Sequence, residues 1–334
     1  MIERGRSSRG DNIRHLAMTE LIAGIDLGGT KIQTVVLKEH EIVGRSRVAT
    51  PQTGADGVLA AMAESVKSAL HFGAQSLDDL RAVGVGSPGV IQDTSVANSP
   101  NVPGFEVGPI PVGEELSKGL GGVDVKLDND VRVAVLGEWK QGAARPFQNF
   151  LGVFIGTGVG GGLVINGEMI EGRGAAGEIG HTVVRDGGRR CGCGKRGHLE
   201  AYAGRRSMEE TARRWKAKGR RTKLFEIMEK RGRDRATSGV IAAALAKHDP
   251  VVVQLVDEAV WALGIALSNA QNLLDLEAII IGGGLGDRLG RPFVDRIADA
   301  MLPRLHVQDR PPKLLSTELG DLAGAVGAAV LAGG

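Results

Sequence analysis

Two aspartates stand where a predicted strand gives way to a polar or glycine-rich turn. Asp26 ends an apolar run and precedes a turn at 28–31, and a carboxylate beside a phosphate-binding turn is well placed to hold Mg²⁺. Asp130 follows a predicted strand at 123–127, and phosphoryl transfer to an alcohol needs a carboxylate that accepts the hydroxyl proton. The spacing leaves two alternatives open. Asp128 competes for this role, or Asp130 serves only as the N-cap of the next helix.

Three glycine clusters follow predicted strands. Glycine lets the backbone adopt positive φ and lets a ligand approach closely, and successive N–H groups in such turns form nests that bind anions. The clusters therefore predict phosphate and nucleoside binding, with plain tight turns as the alternative. Lys31 either neutralises phosphate charge or points outward. The residues that we expect to bind the nucleotide are Asp26, Gly28, Gly29, Thr30, Lys31, Gly156, Thr157, Gly158, Gly160, Gly282, Gly283 and Gly284.

Two familiar nucleotide fingerprints fail on context. The run GTGVGGG at 156–162 satisfies G-x-G-x-x-G, but a strand and an Asn166-Gly167 hairpin follow it where a dinucleotide site needs a helix. The P-loop pattern G-x-x-x-x-G-K-[ST] does not occur in the sequence. Phosphates held by hairpin turns instead favour the arrangement of a sugar kinase or an actin-like ATPase.

Polar side chains suited to a polyol accompany these turns. Glu178, His181 and Glu200 flank the two cysteines, and Asn101 and Asn129 add amide groups. A site built to hydrogen-bond hydroxyls rejects analogues that lack them by roughly 10⁴–10⁵-fold. The same stretch carries a candidate zinc site, because two thiols and two imidazoles lie within eighteen positions and can close a tetrahedron. Its four ligands are His181, Cys191, Cys193 and His198.

The elements that must position these residues form two α/β units. Each unit opens with two strand-like runs around a glycine-rich turn, the first at 21–37 and the second at 151–165. Apolar spacing predicts helices at 58–70, 251–274 and 322–331, and a buried strand at 278–281. We infer two interleaved domains with a ligand cleft between them.

Composition narrows the class of protein further. Of 334 residues, 51 are glycine, 42% are hydrophobic, 3% are aromatic, and the net charge is +2, which excludes collagen and disfavours a disordered chain. Scarce aromatics disfavour base stacking on nucleic acid, and the basic stretch at 205–235 is interpreted as a solvated helical segment. Two cysteines, no apolar run of about 18 residues and no signal-peptide core indicate a cytoplasmic protein without membrane contact.

These motifs together resemble the ROK family (repressors, open reading frames and kinases), which includes bacterial glucokinases. The resemblance spans Leu21 to the C-terminus and is highly specific for the family, but much less so for the sugar. It rests on DLGGTK (26–31), SPG (87–89), SPNVPGF (99–105), LDND (127–130), GTGVGGGLVINGEMIEGRGAAGEIGH (156–181), CGCGKRGHLE (191–200) and IIIGGGL (279–285).

The resemblance implies an α/β, two-domain actin/hexokinase (ribonuclease H-like) fold with an interdomain cleft. It implies ATP- and Mg²⁺-dependent phosphorylation of a hexose at the 6-hydroxyl, with Asp130 as the catalytic base, and a homodimer. His181 and three cysteines hold structural Zn²⁺ in the family, whereas here His198 occupies the third cysteine position. The implied sugar-contacting residues are Gly89, Asn101, Asn129, Asp130, Glu178, His181 and Glu200.

Boundaries and alternatives complete the expectation. We expect a disordered leader at 1–18, a smaller domain at 19–137 plus 314–334, and a larger domain with the zinc loop at 138–313. Glucose is the expected acceptor, and N-acetylglucosamine, N-acetylmannosamine, mannose and fructose are the alternatives. A sugar-responsive transcription repressor of the same family is the rival from another class. Its helix-turn-helix would need tens of residues, and only about 20 polar residues precede the first strand.

Overall fold

The computed structural model describes residues 20–334, so the predicted leader at 1–18 lies outside the described residues. This part of the chain forms twelve strands and ten α-helices. The strands are β1 (Leu21–Leu27), β2 (Lys31–Lys38), β3 (Glu41–Ala49), β4 (Leu80–Ser87), β5 (Val90–Gln92), β6 (Ser95–Ala97), β7 (Asp124–Asn129), β8 (Phe150–Ile155), β9 (Val159–Ile165), β10 (Glu168–Met169), β11 (Ala278–Gly282) and β12 (Lys313–Ser316). The helices are α1 (Ala55–Phe72), α2 (Val112–Gly119), α3 (Asp130–Gln141), α4 (Glu200–Ala203), α5 (Arg205–Ala217), α6 (Leu224–Lys230), α7 (Ser238–Ala246), α8 (Pro250–Leu274), α9 (Gly283–Met301) and α10 (Ala323–Gly333).

Two five-stranded sheets repeat one topology. The first has the order β3-β2-β1-β4-β7 and the second the order β10-β9-β8-β11-β12. In each sheet the first three strands form an antiparallel meander. The fourth strand pairs in parallel with the strand that opens the unit, and the fifth pairs in parallel with the fourth. Parallel strands buried on both faces read as continuous apolar runs, as 278–281 does. The two predicted hairpins, β1–β2 and β8–β9, are confirmed as the equivalent first elements of the two sheets.

Glycines let α10 pack directly on the first sheet and on α3. A Cβ built on Gly24 of β1 or Gly84 of β4 would overlap a backbone carbonyl oxygen of α10. A Cβ on Gly327 of α10 would overlap the carbonyl oxygen of Val133 in α3. The backbones therefore approach more closely than side chains would allow, which explains part of the high glycine content.

The other face of α3 meets the second sheet. Val135 packs against Gly152 of β8 and Gly162 of β9, and Val131 packs against Gly160 of β9. Helix α3 consequently contacts elements of both sheets. The buried carboxylate of Glu138 in α3 also accepts hydrogen bonds from the backbone N–H groups of Glu318 (3.0 Å) and Leu319 (2.8 Å), which fixes the segment leading into α10.

One helix, α8, is long and apolar enough to cross a membrane by length and composition. In its most apolar window 67% of the residues are buried inside the protein, where they belong to the core of the second unit. This burial is typical of a core helix. Within residues 20–334 no other helix is both long and apolar enough to cross a membrane.

Three local predictions need correction. The turn in the run 156–162 is shorter than expected, because β9 already begins at Val159 and Gly160 is a strand residue. Gly282 ends β11, and Gly283 and Gly284 open α9, so the third cluster is a strand-to-helix junction. Residue 130 does not cap α3, because the side chain of Asn129 does so.

The predicted domain boundaries stay predictions, and the strands bear on them in one place. Strand β12 pairs in parallel with β11 and completes the second sheet. The segment assigned to the smaller domain from 314 onward therefore starts with residues of the second sheet. It reaches the first sheet only with α10.

The contact between α10 and the first sheet predicts a glycine requirement at residue 84. We expect Gly84→Ala to lower the free energy of unfolding by about 2 kcal/mol or more, because the obstructing atom is a backbone oxygen that cannot turn away. Gly119→Ala is the matched control, since its Cβ would make only an ordinary contact with Ala63. Denaturant unfolding of both variants checks this, and equal stability of the two would contradict the packing argument.

Candidate active site

The carboxyl ends of the parallel strands in the first sheet bring the predicted acidic and sugar-facing residues to one edge. Asp26 near the end of β1 pairs in register with Gly86 of β4, and Ser87 pairs with Asn129 at the end of β7. Open α/β sheets bind ligands at this edge. Gly89 lies directly beyond β4 with φ of 107°, which places a tight turn beside these residues.

Hydrogen bonds separate the roles of the three residues at 128–130. Asn129 Oδ1 accepts from the backbone N–H groups of Val131 (3.0 Å) and Arg132 (3.3 Å), which caps α3. Asp128 Oδ2 is held by Arg132 Nε at 3.0 Å. Asp130 is the first residue of α3 and has no cationic partner within residues 20–334, and its Oδ1 accepts from the Val131 N–H at 2.9 Å. These contacts favour Asp130 over Asp128 for proton transfer, and its role stays a prediction.

Burial perturbs both candidate carboxyl groups. Burial, together with the charges of Asp130 and Asp321 and against that of Lys31, raises the pKa of Asp26 to about 7. Burial also raises the pKa of Asp130, where the Glu178 charge adds to the effect and the Val131 N–H opposes it. Mutually repelling carboxylates with few cationic partners are a donor set that fits Mg²⁺, whose preferred ligands are oxygens.

The first glycine turn is tied down on two sides. Gly28 N–H donates to the Lys31 carbonyl oxygen at 2.9 Å, and the Thr50 hydroxyl donates to the Gly28 carbonyl oxygen at 2.6 Å. Gly29 packs against the backbone of Asn101, because a Cβ there would overlap the Asn101 carbonyl oxygen. The predicted phosphate turn and the predicted sugar loop are therefore in direct contact.

Lys31 points into this site and not away from it. Its Nζ lies 3.4 Å from an Asp321 carboxylate oxygen, and its charge acts on Asp26. Asp321 was not predicted from the sequence. It follows no glycine cluster or strand signal, and only the return of the C-terminal segment to the first sheet brings it here.

The second glycine turn spans the end of β8 and the start of β9. Gly156 N–H donates to the Gly158 carbonyl oxygen at 2.9 Å. Glu200 Oε2 accepts from Val159 N–H at 3.1 Å and leaves no room for a side chain at residue 158. Glu200 therefore supports the turn directly.

The third glycine cluster adjoins the second turn. Gly283 has φ of 79°, and a Cβ there would come within 2.6 Å of the backbone nitrogen of Ile155 at the end of β8. Gly284 lies against the Ser238 hydroxyl at the start of α7. The junction thus packs against the end of β8, next to the second glycine turn, and the sequence predicts that the nucleoside binds here.

The four predicted metal ligands are brought together. His181 Nδ1 lies 3.8 Å from Cys191 Sγ, Cys193 Sγ lies 3.3 Å from His198 Nδ1, and one ligand atom of each residue lies within 4.8 Å of all the others. Donors around a tetrahedral zinc ion are separated by roughly 3.3–3.8 Å. The donor set and its spacing fit Zn²⁺, with His198 in the place of a third cysteine.

Glu200 links this metal centre to the phosphate turn. The Cys191 thiol donates to Glu200 Oε1 at 3.4 Å, while the other carboxylate oxygen holds β9. Burial, the Cys193 thiol and the Glu200 charge raise the pKa of Cys191 to about 12, against the backbone N–H of Cys193. A zinc ion would remove this thiol proton, so metal binding would change the charge beside Glu200.

The remaining predicted sugar contacts lie on the same side. Glu178 Oε2 is 3.9 Å from His181 Nε2, and the Glu178 charge acts on Asp130. The His181 ring thus presents Nδ1 to the metal cluster and Nε2 toward the acidic edge. Glu178 therefore lies near both Asp130 and His181 of the candidate metal cluster. The roles of all the predicted sugar-contacting residues stay predictions.

Comparison with known proteins decides the family. The ROK family model matches residues 22–334. This chain belongs to the ROK family. Within the family it is 34% identical to the glucokinase of Halalkalibacterium halodurans over 313 residues, which is 91% of this chain and 92% of that protein. It is 29% identical to the N-acetylmannosamine kinase of Haemophilus influenzae over 324 residues, or 91% and 93% of the two chains.

A solved structure confirms the fold class. The ROK glucokinase of Streptomyces griseus, crystallised with glucose and AMPPNP, is 32% identical and has a TM-score of 0.77. The match covers 93% of this chain and 99% of that one. The predicted two-domain actin/hexokinase fold is therefore confirmed for this ROK protein.

The geometry of the metal centre predicts zinc content. We expect about one zinc per chain in the purified protein, loss of that zinc in His198→Ala, and its retention in His198→Cys. His306→Ala, in an exposed loop, is the control. Elemental analysis with thermal unfolding measures both zinc and stability. Full zinc content in His198→Ala would show that His198 is not a ligand.

The raised pKa of Asp26 predicts that replacing its carboxylate with a neutral amide stabilises the protein at high pH but not at low pH. The folded protein binds this proton more tightly than the unfolded chain, so the penalty of ionised Asp26 grows above about pH 4 and is complete above pH 7. In buffer without magnesium or nucleotide, Asp26→Asn should raise the free energy of unfolding on the order of 3 kcal/mol at pH 8 and little at pH 4. Asp309→Asn, at an exposed position, should do neither. A pH-independent effect would refute the assignment.

Proposed function

We propose that this ROK protein is an ATP-dependent hexose kinase that converts glucose to glucose 6-phosphate. The observation that carries the proposal is the position of Asp130, a half-buried carboxylate at the start of α3. It interacts electrostatically with Asp26, beside the turn at 28–31, and with Glu178 among the polyol-facing residues. The ROK glucokinase crystallised with glucose and AMPPNP supports both substrates.

In the proposed mechanism Asp130 accepts the proton of the sugar 6-hydroxyl, and the oxygen attacks the γ-phosphorus of ATP in line. The bond from the γ-phosphorus to the oxygen that bridges it to the β-phosphate breaks, and ADP leaves. A raised pKa makes Asp130 a stronger base than an exposed aspartate. Its Oδ1 accepts from the Val131 N–H at 2.9 Å, and without a cationic partner within residues 20–334 its Oδ2 would accept the hydroxyl proton. The cap by Asn129 holds the first turn of α3, so the base is oriented by the helix that carries it.

The two glycine turns would hold the phosphates through backbone N–H groups, and Lys31 would supply positive charge. Asp26 would hold Mg²⁺, directly or through water, and when bound the ion neutralises developing negative charge on the phosphates. The raised pKa of Asp26 fits this role, because a buried carboxylate among other acids gains most from a cation.

The sugar would lie between Asp130 and the metal centre. Asn101, Asn129, Glu178, His181 and Glu200 would hydrogen-bond its hydroxyls, with Gly89 contributing from its turn. Zinc would act structurally, by fixing His181 and the loop beside Glu200. The site is rich in carboxylate, amide and imidazole groups, so the sugar would be recognised by hydrogen bonds with little ring stacking.

Glucose is the first choice of acceptor because glucokinases are the relatives at 34% and 33% identity. N-acetylmannosamine kinases follow at 29%, which makes that sugar the main alternative. The loop at 100–105 lies against the first glycine turn and is the element most directly placed to select among hexoses. The homodimer and the cytoplasmic location stay predictions.

The experiment combines an acceptor screen with a variant of the base. ADP release should be fastest with glucose among glucose, mannose, fructose, N-acetylglucosamine and N-acetylmannosamine. Asp130→Asn should lower kcat by about 10²–10⁴-fold, because proton transfer is lost, while glucose affinity changes little. Isothermal titration with glucose measures the affinity separately.

Asp128→Asn is the matched control, since this neighbour is engaged by Arg132 and should keep most of the activity. Turnover of Asp130→Asn at the unmodified rate would overturn the role of Asp130. Sugar-dependent DNA retardation without any ADP release would favour the repressor alternative instead.

A further inference from the structure

The side chain of Arg205 lies at the second phosphate turn. Its Nη2 donates to the Thr157 hydroxyl at 3.2 Å, and its backbone N–H donates to the Gly156 carbonyl oxygen at 3.2 Å. Arg205 opens α5 directly after Gly204, which itself packs against the Thr157 backbone. Arg205 is therefore hydrogen-bonded to the turn through both its backbone and its side chain.

The charge of Arg205 is not compensated within residues 20–334. None of the ion pairs in this part of the chain includes it, and its Nε is buried without a hydrogen-bond partner. Burial lowers the pKa of the guanidinium, which shows that the charged form is poorly solvated here. A half-buried cation without a carboxylate partner destabilises the protein unless a bound anion pairs with it.

Other arginines nearby show the usual arrangement. Arg206 pairs with Glu210 at 3.2 Å and Arg213 pairs with Glu209 at 2.7 Å, both on α5. Arg189, which is half-buried like Arg205, pairs with Glu258. Arg205 thus differs from these three arginines by contacting the turn at 156–158 in place of a carboxylate.

We propose that Arg205 binds a phosphate group of the phosphoryl donor at the turn formed by Gly156, Thr157 and Gly158. A guanidinium is suited to this task, because it offers several N–H donors to phosphate oxygens and is always charged. The basic stretch at 205–235 therefore has one member with a function and is not only a solvated surface. The proposal rests on the proposed kinase function.

The donor is a compound with linked phosphates, either a nucleoside triphosphate or inorganic polyphosphate. The same contact serves both, since it recognises phosphate oxygens and not the base. Arg205→Met should raise the Kd for AMPPNP and for tripolyphosphate about 10- to 100-fold in the presence of Mg²⁺, and leave the Kd for adenosine unchanged. Arg205→Lys should recover part of the loss, because it restores the charge without the planar fork.

The test is isothermal titration of these variants with AMPPNP, tripolyphosphate and adenosine, alongside kinetics with ATP and with long-chain polyphosphate. Arg206→Met is the matched control, one residue along α5, exposed and ion-paired, and should change each Kd less than twofold. A rise in KM for ATP alone identifies the nucleotide as donor, and a rise for polyphosphate alone identifies the inorganic chain. The KM for the sugar should not move in either case.

Two results would overturn the role of Arg205. One is an unchanged Kd for both phosphate compounds in Arg205→Met, and the other is an equal loss for adenosine, which would indicate a merely structural residue. If Arg205→Met does not fold, the Arg205→Lys variant tests the proposal. A wild-type Kd for AMPPNP and tripolyphosphate together with an altered Kd for adenosine would contradict it. Absence of phosphoryl transfer to every sugar would refute the kinase function, while the tripolyphosphate titration would still decide the anion site.

Discussion

The close packing of α3 and α10 against the first sheet is the constraint on which the active site depends. Gly84 and Gly327 allow carbonyl oxygens of neighbouring elements to lie where a Cβ would otherwise stand. Asp130 is the first residue of α3, so the distance between this helix and the strand ends fixes where the proposed base lies. The opposite face of α3 rests on Gly152 and Gly162 of the second sheet, and one helix thereby positions the proposed base relative to both glycine turns.

The electrostatics of the site follow from this packing. Asp26, Asp130 and Asp321 are gathered at one edge with Lys31 as the nearby cation, and burial raises the pKa of the first two. The resting site therefore accumulates unfavourable negative charge, which a divalent cation would relieve. On the far side of the turns Arg205 carries an uncompensated positive charge. The two imbalances have opposite signs, and a phosphate chain with its metal ion would satisfy both.

Much of this arrangement is predictable from the sequence. Glycine clusters that follow apolar strands are typical of tight, phosphate-binding turns, and this sequence repeats the pattern. The ROK resemblance predicts the fold class, and the residues alone locate both glycine hairpins and the four candidate metal ligands. Three features are not predictable from the sequence. Asn129 and Asp130 are both suitable N-cap residues for α3 by type, and only the hydrogen bonds show that Asn129 is the cap. Gly160 joins a strand because β8 pairs with it, and Asp321 reaches the site only through the tertiary fold.

The contact of Arg205 with the second glycine turn is likewise not predictable from the sequence. Its sequence neighbours are charged residues of both signs, so composition predicts a solvated helix, and most of that segment is one. What distinguishes Arg205 is a contact with Thr157, 48 positions earlier, that no periodicity encodes. Local pattern thus locates the elements and many of the reactive residues, whereas charge compensation depends on which elements the fold brings together.

The most direct test of the central claim is a crystal structure of this protein with glucose, AMPPNP and Mg²⁺. The account predicts an Asp130 carboxylate oxygen within roughly 2.6–3.2 Å of the glucose 6-hydroxyl, and that hydroxyl facing the γ-phosphate. A sugar bound elsewhere, or one that presents another hydroxyl to Asp130, would contradict it.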